Sequence, residues 1–315
     1  MRKISFYFII LLSSSLFADQ DQTINLIVEN CKSCHNLNID ITKKGIAFFE
    51  KKFDDPKFYI WSNDFSGLKE YFPSDKYICE GICNDYNLKF NLLEYDNYLP
   101  DVDLLEQFIK NNKGIIVLSL VTYKSSYRYP VKRINRICQE NDSIVIWDLS
   151  HAIGAIDIDM KKNQIKYAIG CTYKYLNGGP GSPAFIYVNR EKQLNLESPI
   201  KGWFSHSNPF DFSKNFIQSE SMNRFSSGTP HIISMSTLDS SLDITINATT
   251  KKLENKSINL FNFFKEIYND RLINLGFKLI TPMDKEFRGS QISIVHKESW
   301  RITKCLTDPE SSKQI

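Results

Sequence analysis

Lys174 lies within CTYKYLNGGPGSPAF, residues 171–185, between two tyrosines and ahead of a glycine-rich turn. A lysine amine attacks an aldehyde when a rigid element holds it and its charge is partly suppressed, and pyridoxal phosphate is the commonest such aldehyde. Alone, Tyr-Lys-Tyr equally describes a solvated lysine beside two half-buried aromatics. The upstream segment SIVIWDLSH adds what that reading lacks. Its apolar, branched run reads as a buried strand ending on Asp148, with His151 three residues further on. An aspartate facing a pyridine nitrogen keeps that nitrogen protonated, so the ring can take up the electrons released at a substrate's alpha carbon. His151 can stack on such a ring or hydrogen-bond near it. An acid at a strand end can also cap the next helix; the pairing with Lys174 is what favours cofactor chemistry.

Other short motifs stand around this pair in order. YFPSDKYICEGI carries Phe72, Pro73, Ser74 and Asp75, GIIVLSLV ends near Ser119, GWFSH holds Trp203, and FSSGTPHIISM holds Gly228 and Thr229. Each has a plain structural reading: a packed aromatic before a proline, a core or interface indole, hydroxyls at strand ends. Together with WDLSHAIGAIDIDM and KYAIGCTYKYLNGGPGSPAFIYVNR, they make residues 65–305 resemble kynureninase. The resemblance implies a pyridoxal 5'-phosphate enzyme that hydrolyses L-kynurenine to anthranilate and L-alanine, in tryptophan catabolism and NAD biosynthesis. It assigns Lys174 to the cofactor aldehyde and to proton transfer, Asp148 to the pyridine nitrogen, Tyr173 to the phosphate and Phe72 to ring stacking. Pro73, Ser74 and Asp75 form the adjoining turn, and Ser119 and His151 lie by the cofactor. Trp203 and Thr229 resemble phosphate-side contacts lent across a homodimer interface. A cytoplasmic location comes with the same resemblance.

The elements needed to hold these groups are legible. Helical DVDLLEQFIKN, strand GIIVLSLV, helix VKRINRICQEN, strand SIVIWDLS and strands around IKYAIGCTY and AFIYVNR alternate as a mainly parallel sheet requires, with ligand groups gathered at strand ends. From residue 235 a long amphipathic run reads as one or two helices leading to a small C-terminal domain. The expected fold class is α/β, like the fold-type I pyridoxal phosphate transferases, with flanking helices and a truncated small domain. Residues 46–235 are the expected cofactor-binding domain, and 236–315 the connecting helices and incomplete small domain. The glycines at 178, 179 and 181 follow the lysine instead of opening a helix, and GxGxxG spacing is absent, which excludes a dinucleotide loop. In 315 residues with 24% charged side chains and a net charge of +3, basic residues are scattered, which gives no nucleic-acid footprint.

The amino terminus reads differently. Residues 1–18 have a basic start, an apolar stretch too short for a stable membrane span and a cleavage-like Ala18, the pattern of an export signal. VENCKSCHN then places Cys31, Cys34 and His35 in the CxxCH order that attaches haem c, so residues 19–45 resemble a c-type cytochrome. The alternative function is therefore a periplasmic monohaem electron carrier, or a composite chain without activity. At the other end, no arginine follows Arg301, so the clamp that kynureninases use on the substrate carboxylate is missing from the sequence. Cys79, Cys83, Cys138, Cys171 and Cys305 lack zinc spacing and are expected to be buried thiols.

Overall fold

The computed structural model describes residues 8–10, 57–61, 73–93, 98–198 and 200–308; for 8–10, 57–61 and Pro73 it describes the backbone alone. The export-signal and CxxCH readings, with Cys31, Cys34 and His35, lie outside the described residues except for the strand Phe8–Ile10 (β1). Phe72 also lies outside them.

The main sheet has six strands in the order β3-β2-β4-β5-β6-β7. These are β2 (Lys57–Trp61), β3 (Lys89–Leu93), β4 (Ile115–Ser119), β5 (Ile144–Asp148), β6 (Tyr167–Gly170) and β7 (Phe185–Val188). All neighbours are parallel except β6 and β7. Strand β4 shows why: four of its five residues are buried apolar side chains, so it needs cover on both faces, which crossover helices supply. The crossovers are α1 (Pro73–Asp85), α2 (Val102–Asn111) and α3 (Val131–Glu140). On α2, the Asp101 carboxylate accepts from the Leu104 N–H at 2.9 Å, which starts the helix, while Leu105 and Ile109 face the core. Helix α3 buries Ile134, Ile137 and Cys138 and fastens to β5 through a polar link. The Nε1–H of Trp147, fully buried, donates to Asn135 Oδ1 at 2.9 Å, and the Asn135 amide donates to the Asn163 carbonyl at 2.6 Å.

A short helix, α4 (Arg190–Gln193), follows β7. The amphipathic run beyond it folds as two helices, α5 (Ile232–Ala248) and α6 (Thr250–Ile267), which meet at Thr249, a left-handed residue with φ +61°. A second sheet, antiparallel and ordered β1-β9-β8, joins β8 (Lys278–Leu279) and β9 (Ile292–Val295) to β1. Phe261 of α6 packs against Ile292 and Ile294 to form its core. Helix α7 (Ser299–Thr307) closes the described chain. No described helix is long and apolar enough to cross a membrane.

The cysteines depart in part from the expected burial. Cys79, Cys83 and Cys138 are buried, but Cys171 is only half-buried and Cys305 is exposed. Cys171 lies past the end of β6, where the sheet core stops, and Cys305 sits on an outward face of α7.

The Trp147–Asn135 bond yields a stability prediction. Trp147→Phe keeps most of the apolar volume but leaves a buried amide oxygen without its donor, which costs about 1–3 kcal/mol. Urea unfolding should show that loss, and a variant as stable as the parent would remove the bond from the forces that position β5.

Candidate active site

The parallel register brings strand ends together. Ser119 pairs with Asp148, and Asp148 with Ile169, so β4, β5 and β6 finish side by side. Asp148 is 7% exposed. A carboxylate that deep needs donors, and it has two: Ser119 Oγ donates to Oδ2 at 3.2 Å, and the Ser150 N–H donates to Oδ1 at 2.9 Å. The Ser150 hydroxyl then accepts from the Cys171 N–H at 3.2 Å, tying the loop after β5 to the chain leading to Lys174.

The lysine loop is built by short-range bonds. The Asn177 N–H donates to the Lys174 carbonyl at 3.0 Å, and the Gly178 N–H to the Thr172 carbonyl at 2.9 Å. A Cβ on Gly178 would stand 2.9 Å from that of Ser182 and 3.1 Å from the Thr172 oxygen, so the turn closes only around glycine. Gly154, at φ +81°, lets the loop after β5 approach the Tyr175 carbonyl. Lys174 Nζ sits 5.5 Å from the Tyr173 ring centre, and half of Tyr173 is exposed.

Asp75 and His151 complete the cluster. The FPSD segment, expected as a turn, instead enters α1 at Pro73, with Asp75 in the first helical turn. Proline at a helix start forfeits no hydrogen bond, and an acid there meets the positive end of the helix dipole. Burial, then the nearby Asp148 charge, push the Asp75 carboxyl up to about 7, while Lys174 pulls the other way. Burial and the Lys174 charge push His151 down to about 4 against the pull of Asp148, so its ring is neutral. The Tyr123 ring lies 6.5 Å from the His151 ring, centre to centre. Asp75, Asp148, His151 and Lys174 thus occupy one electrostatic neighbourhood, and Ser119 is its donor.

Trp203 and Thr229 are placed elsewhere. Trp203 stands in the turn Trp203–Ser205, is 43% exposed, and meets Phe204 and Phe210 edge to face. Thr229 is exposed in the loop before α5. Among the described residues, no hydrogen bond links either one to the Asp148 cluster.

Two supports escape the sequence reading. Ser150 could have been found, since a serine two residues after an aspartate at a strand end fits a local Asx-type turn. Gln291 had no signal: its amide donates to the Thr122 and Tyr123 carbonyls at 3.0 and 3.1 Å, and its oxygen accepts from the Tyr175 hydroxyl at 3.2 Å.

A buried carboxylate near a second whose titration burial raises to about 7, beside a neutral imidazole and a lysine, suits a protonated pyridine ring bearing an aldehyde. Residues 73–299 match the Aminotransferase class-V family. The chain belongs to that family. Its cofactor is pyridoxal 5'-phosphate, and the geometry of Asp148 and Lys174 fits that group. Among curated relatives, the kynureninase of Pseudomonas fluorescens is 33% identical over 237 residues, covering 75% of this chain and 56% of that protein. The chain thus spans little more than half the length of that relative. Among solved structures, the cysteine desulfurase of Thermococcus onnurineus NA1 has a TM-score of 0.66 at 17% identity, over 81% of this chain and 60% of that one. A C-DES structure with glycine covalently linked to its PLP cofactor has a TM-score of 0.60 at 12% identity, over 85% and 72%. At such identities these two carry the fold alone, and the fold is that of fold-type I pyridoxal phosphate enzymes.

The two displaced titrations set a pH dependence. Asp75 titrates higher in the fold than its ordinary 3.8, so its contribution is present below that value and lost as pH rises through about 7. His151 titrates lower than its ordinary 6.5, so its contribution is present above that value and lost as pH falls through about 4. Replacing Asp75 should remove the first loss only. Urea unfolding of the apoprotein at about pH 5 and about pH 8 should show Asp75→Asn gaining stability over the parent at the higher pH. Parallel behaviour of the two proteins would contradict the burial of Asp75 as a strained acid.

Proposed function

We propose that this chain is a kynureninase, hydrolysing L-kynurenine to anthranilate and L-alanine. The observation that carries the reading is the convergence of two motifs distant in sequence, FPSD and WDLSH, which put Asp75 and Asp148 within electrostatic reach of each other and of Lys174. The 33% identity to a kynureninase supports the same substrate.

In this reading Asp148, held by Ser119 and Ser150, would hold the cofactor's ring nitrogen, with the neutral His151 beside the ring. The bound cofactor supplies an electron sink for bonds broken at the substrate's alpha carbon. Lys174 would hold the cofactor through its aldehyde, and its amine would serve as the base and acid for the proton at the substrate's alpha carbon. In the net reaction one water is consumed: its oxygen goes to the gamma carbon as the bond to the beta carbon breaks, giving the carboxyl of anthranilate, and a proton goes to the beta carbon, giving L-alanine. Arg301 does not serve as a carboxylate clamp here: it lies on α7 and meets Glu298 at 3.6 Å, with both side chains about half exposed. The location that goes with this activity is the cytoplasm.

A second copy of the chain completes the proposal. Trp203 and Thr229, far from carrying the phosphate within one chain, lie on a surface with Phe212, 79% exposed, and Ile233, 84% exposed. Such a surface suits a homodimer in which both residues reach the partner's phosphate.

Three experiments test these assignments. Borohydride reduction of the cofactor-loaded protein followed by peptide mapping should label Lys174; label on another lysine would sink the site. Lys174→Ala should lower anthranilate release from kynurenine, followed by fluorescence, by about 10²- to 10⁴-fold. Size-exclusion chromatography with light scattering should find a dimer that Ile233→Lys dissociates with loss of cofactor retention; a parent protein that runs as a monomer refutes the interface.

A further inference from the structure

At the opposite end of the strand that carries Asp148, helix α3, the start of β5, the segment Gln164–Tyr167 and helix α4 enclose a cleft of about 260 Å³. Its walls present two ammonium groups, Lys166 and Lys192, with the neutral donors Gln139, Ser143, Gln164 and Asn195. No carboxylate lines it among the described residues. Of the acids adjacent in sequence to its lining, Glu140 meets Arg136 at 3.8 Å and Asp142 meets Lys113 at 3.2 Å, while Glu191, next to Lys192, is exposed and does not line the cleft. Lys166 and Lys192 are both partly buried, and neither is ion-paired among the described residues. The charge of Lys166 reaches the floor of the cleft, where burial pushes the Cys138 thiol up to about 12 and the ammonium draws it back.

Lys166 and Lys192 are like charges lining one small cleft, so they repel each other, and each is partly buried with no acid in the lining to pair it. A ligand with two negative charges removes both costs at once, and the surrounding amides and hydroxyl supply donors for its oxygens. The volume falls below the range of about 300–1,000 Å³ usual for drug-sized ligands, so the occupant is small. Its distance from Asp148, about 13 Å along β5, keeps it separate from the cofactor. We infer that the cleft is a second binding site, for a small dianion of the class of a phosphate monoester or a short dicarboxylate.

The test uses the cofactor-saturated protein, so that the phosphate subsite of the active site is already filled. Calorimetric titration with inorganic phosphate, and separately with malonate, is compared with sodium chloride at matched ionic strength. The expected result is saturable one-site binding of at least one of the two dianions with cofactor absorbance unchanged, and the tighter of them identifies the source. Lys166→Met and Lys192→Met should each weaken it roughly tenfold, the loss of one charge-assisted contact. Acetic anhydride labelling of the parent protein gives a readout independent of variant folding: the bound dianion should protect Lys166 and Lys192 and leave the exposed Lys161 reactive. Binding no different from chloride, unchanged affinity in both variants, or equal labelling of the two lysines with and without dianion would each overturn the site.

Discussion

The structure turns on a carboxylate placed where water cannot reach it. Burying Asp148 costs several kcal/mol unless donors surround it; the Ser150 N–H is a local donor, but Ser119 is in place only because β4 and β5 run parallel in a register that sets it opposite Asp148. A slip of one residue would turn Asp148 to the other face of the sheet and break the bond to Ser119. The apolar runs of β4 and β5 prevent it. Ile115 to Leu118 and Ile144 to Trp147 fit between the layers in one alignment, and the Trp147 indole is fixed further by Asn135 of α3. The core therefore exists in service of its own polar exception.

The same burial sets the electrostatics around the lysine. Two acids and one amine share a small, partly dry space, and not every charge can be kept. Asp75 is the acid that yields, since Asp148 holds the better hydrogen bonds and Asp75 pays for burial without them. His151 yields as well, because burial, and then the charge of Lys174, disfavour a second cation there. The cluster thereby sets a carboxylate with two donors beside a carboxyl whose titration burial raises to about 7, a neutral ring and an amine. That asymmetry is what a ring with one protonated nitrogen and one aldehyde requires.

Much of this was legible in the sequence, and what was not has a physical cause. The parallel strands could be read because strands buried on both faces are apolar throughout, and α2 and α3 because one side of each is apolar. Asp148 and Lys174 could be read because each ends or follows such a strand within a distinctive local string. The helical start at Pro73 could have been read from proline followed by an acid, but FPSD looks equally like a turn when its tertiary neighbours are unknown. Trp203 and Thr229 are exposed and, among the described residues, make no hydrogen bond to the Asp148 cluster, and a short motif does not reveal where the tertiary fold will set its side chains. The Lys166 and Lys192 cleft had no signal at all, since its parts come from four elements and carry no common motif.

Long-range ties explain why the C-terminal elements matter to a site they do not line. The loop after β4 carries Tyr123 against His151, and Gln291, at the edge of β9, holds the carbonyls of Thr122 and Tyr123 while accepting from Tyr175, the residue after Lys174. The same loop is fastened again by the Gly289 N–H to the Ser126 carbonyl at 2.7 Å and by Arg128 to Glu254 of α6 at 2.7 Å. Gly289 is confined to glycine, because a Cβ there would stand 2.5 Å from a Val121 methyl. One short segment before β9 therefore ties down both the loop after β4, whose Tyr123 faces His151, and the residue that follows Lys174. Any motion of the second sheet must reach Lys174 and His151 together, so the elements that contribute no chemistry still determine whether the groups that do can hold their places.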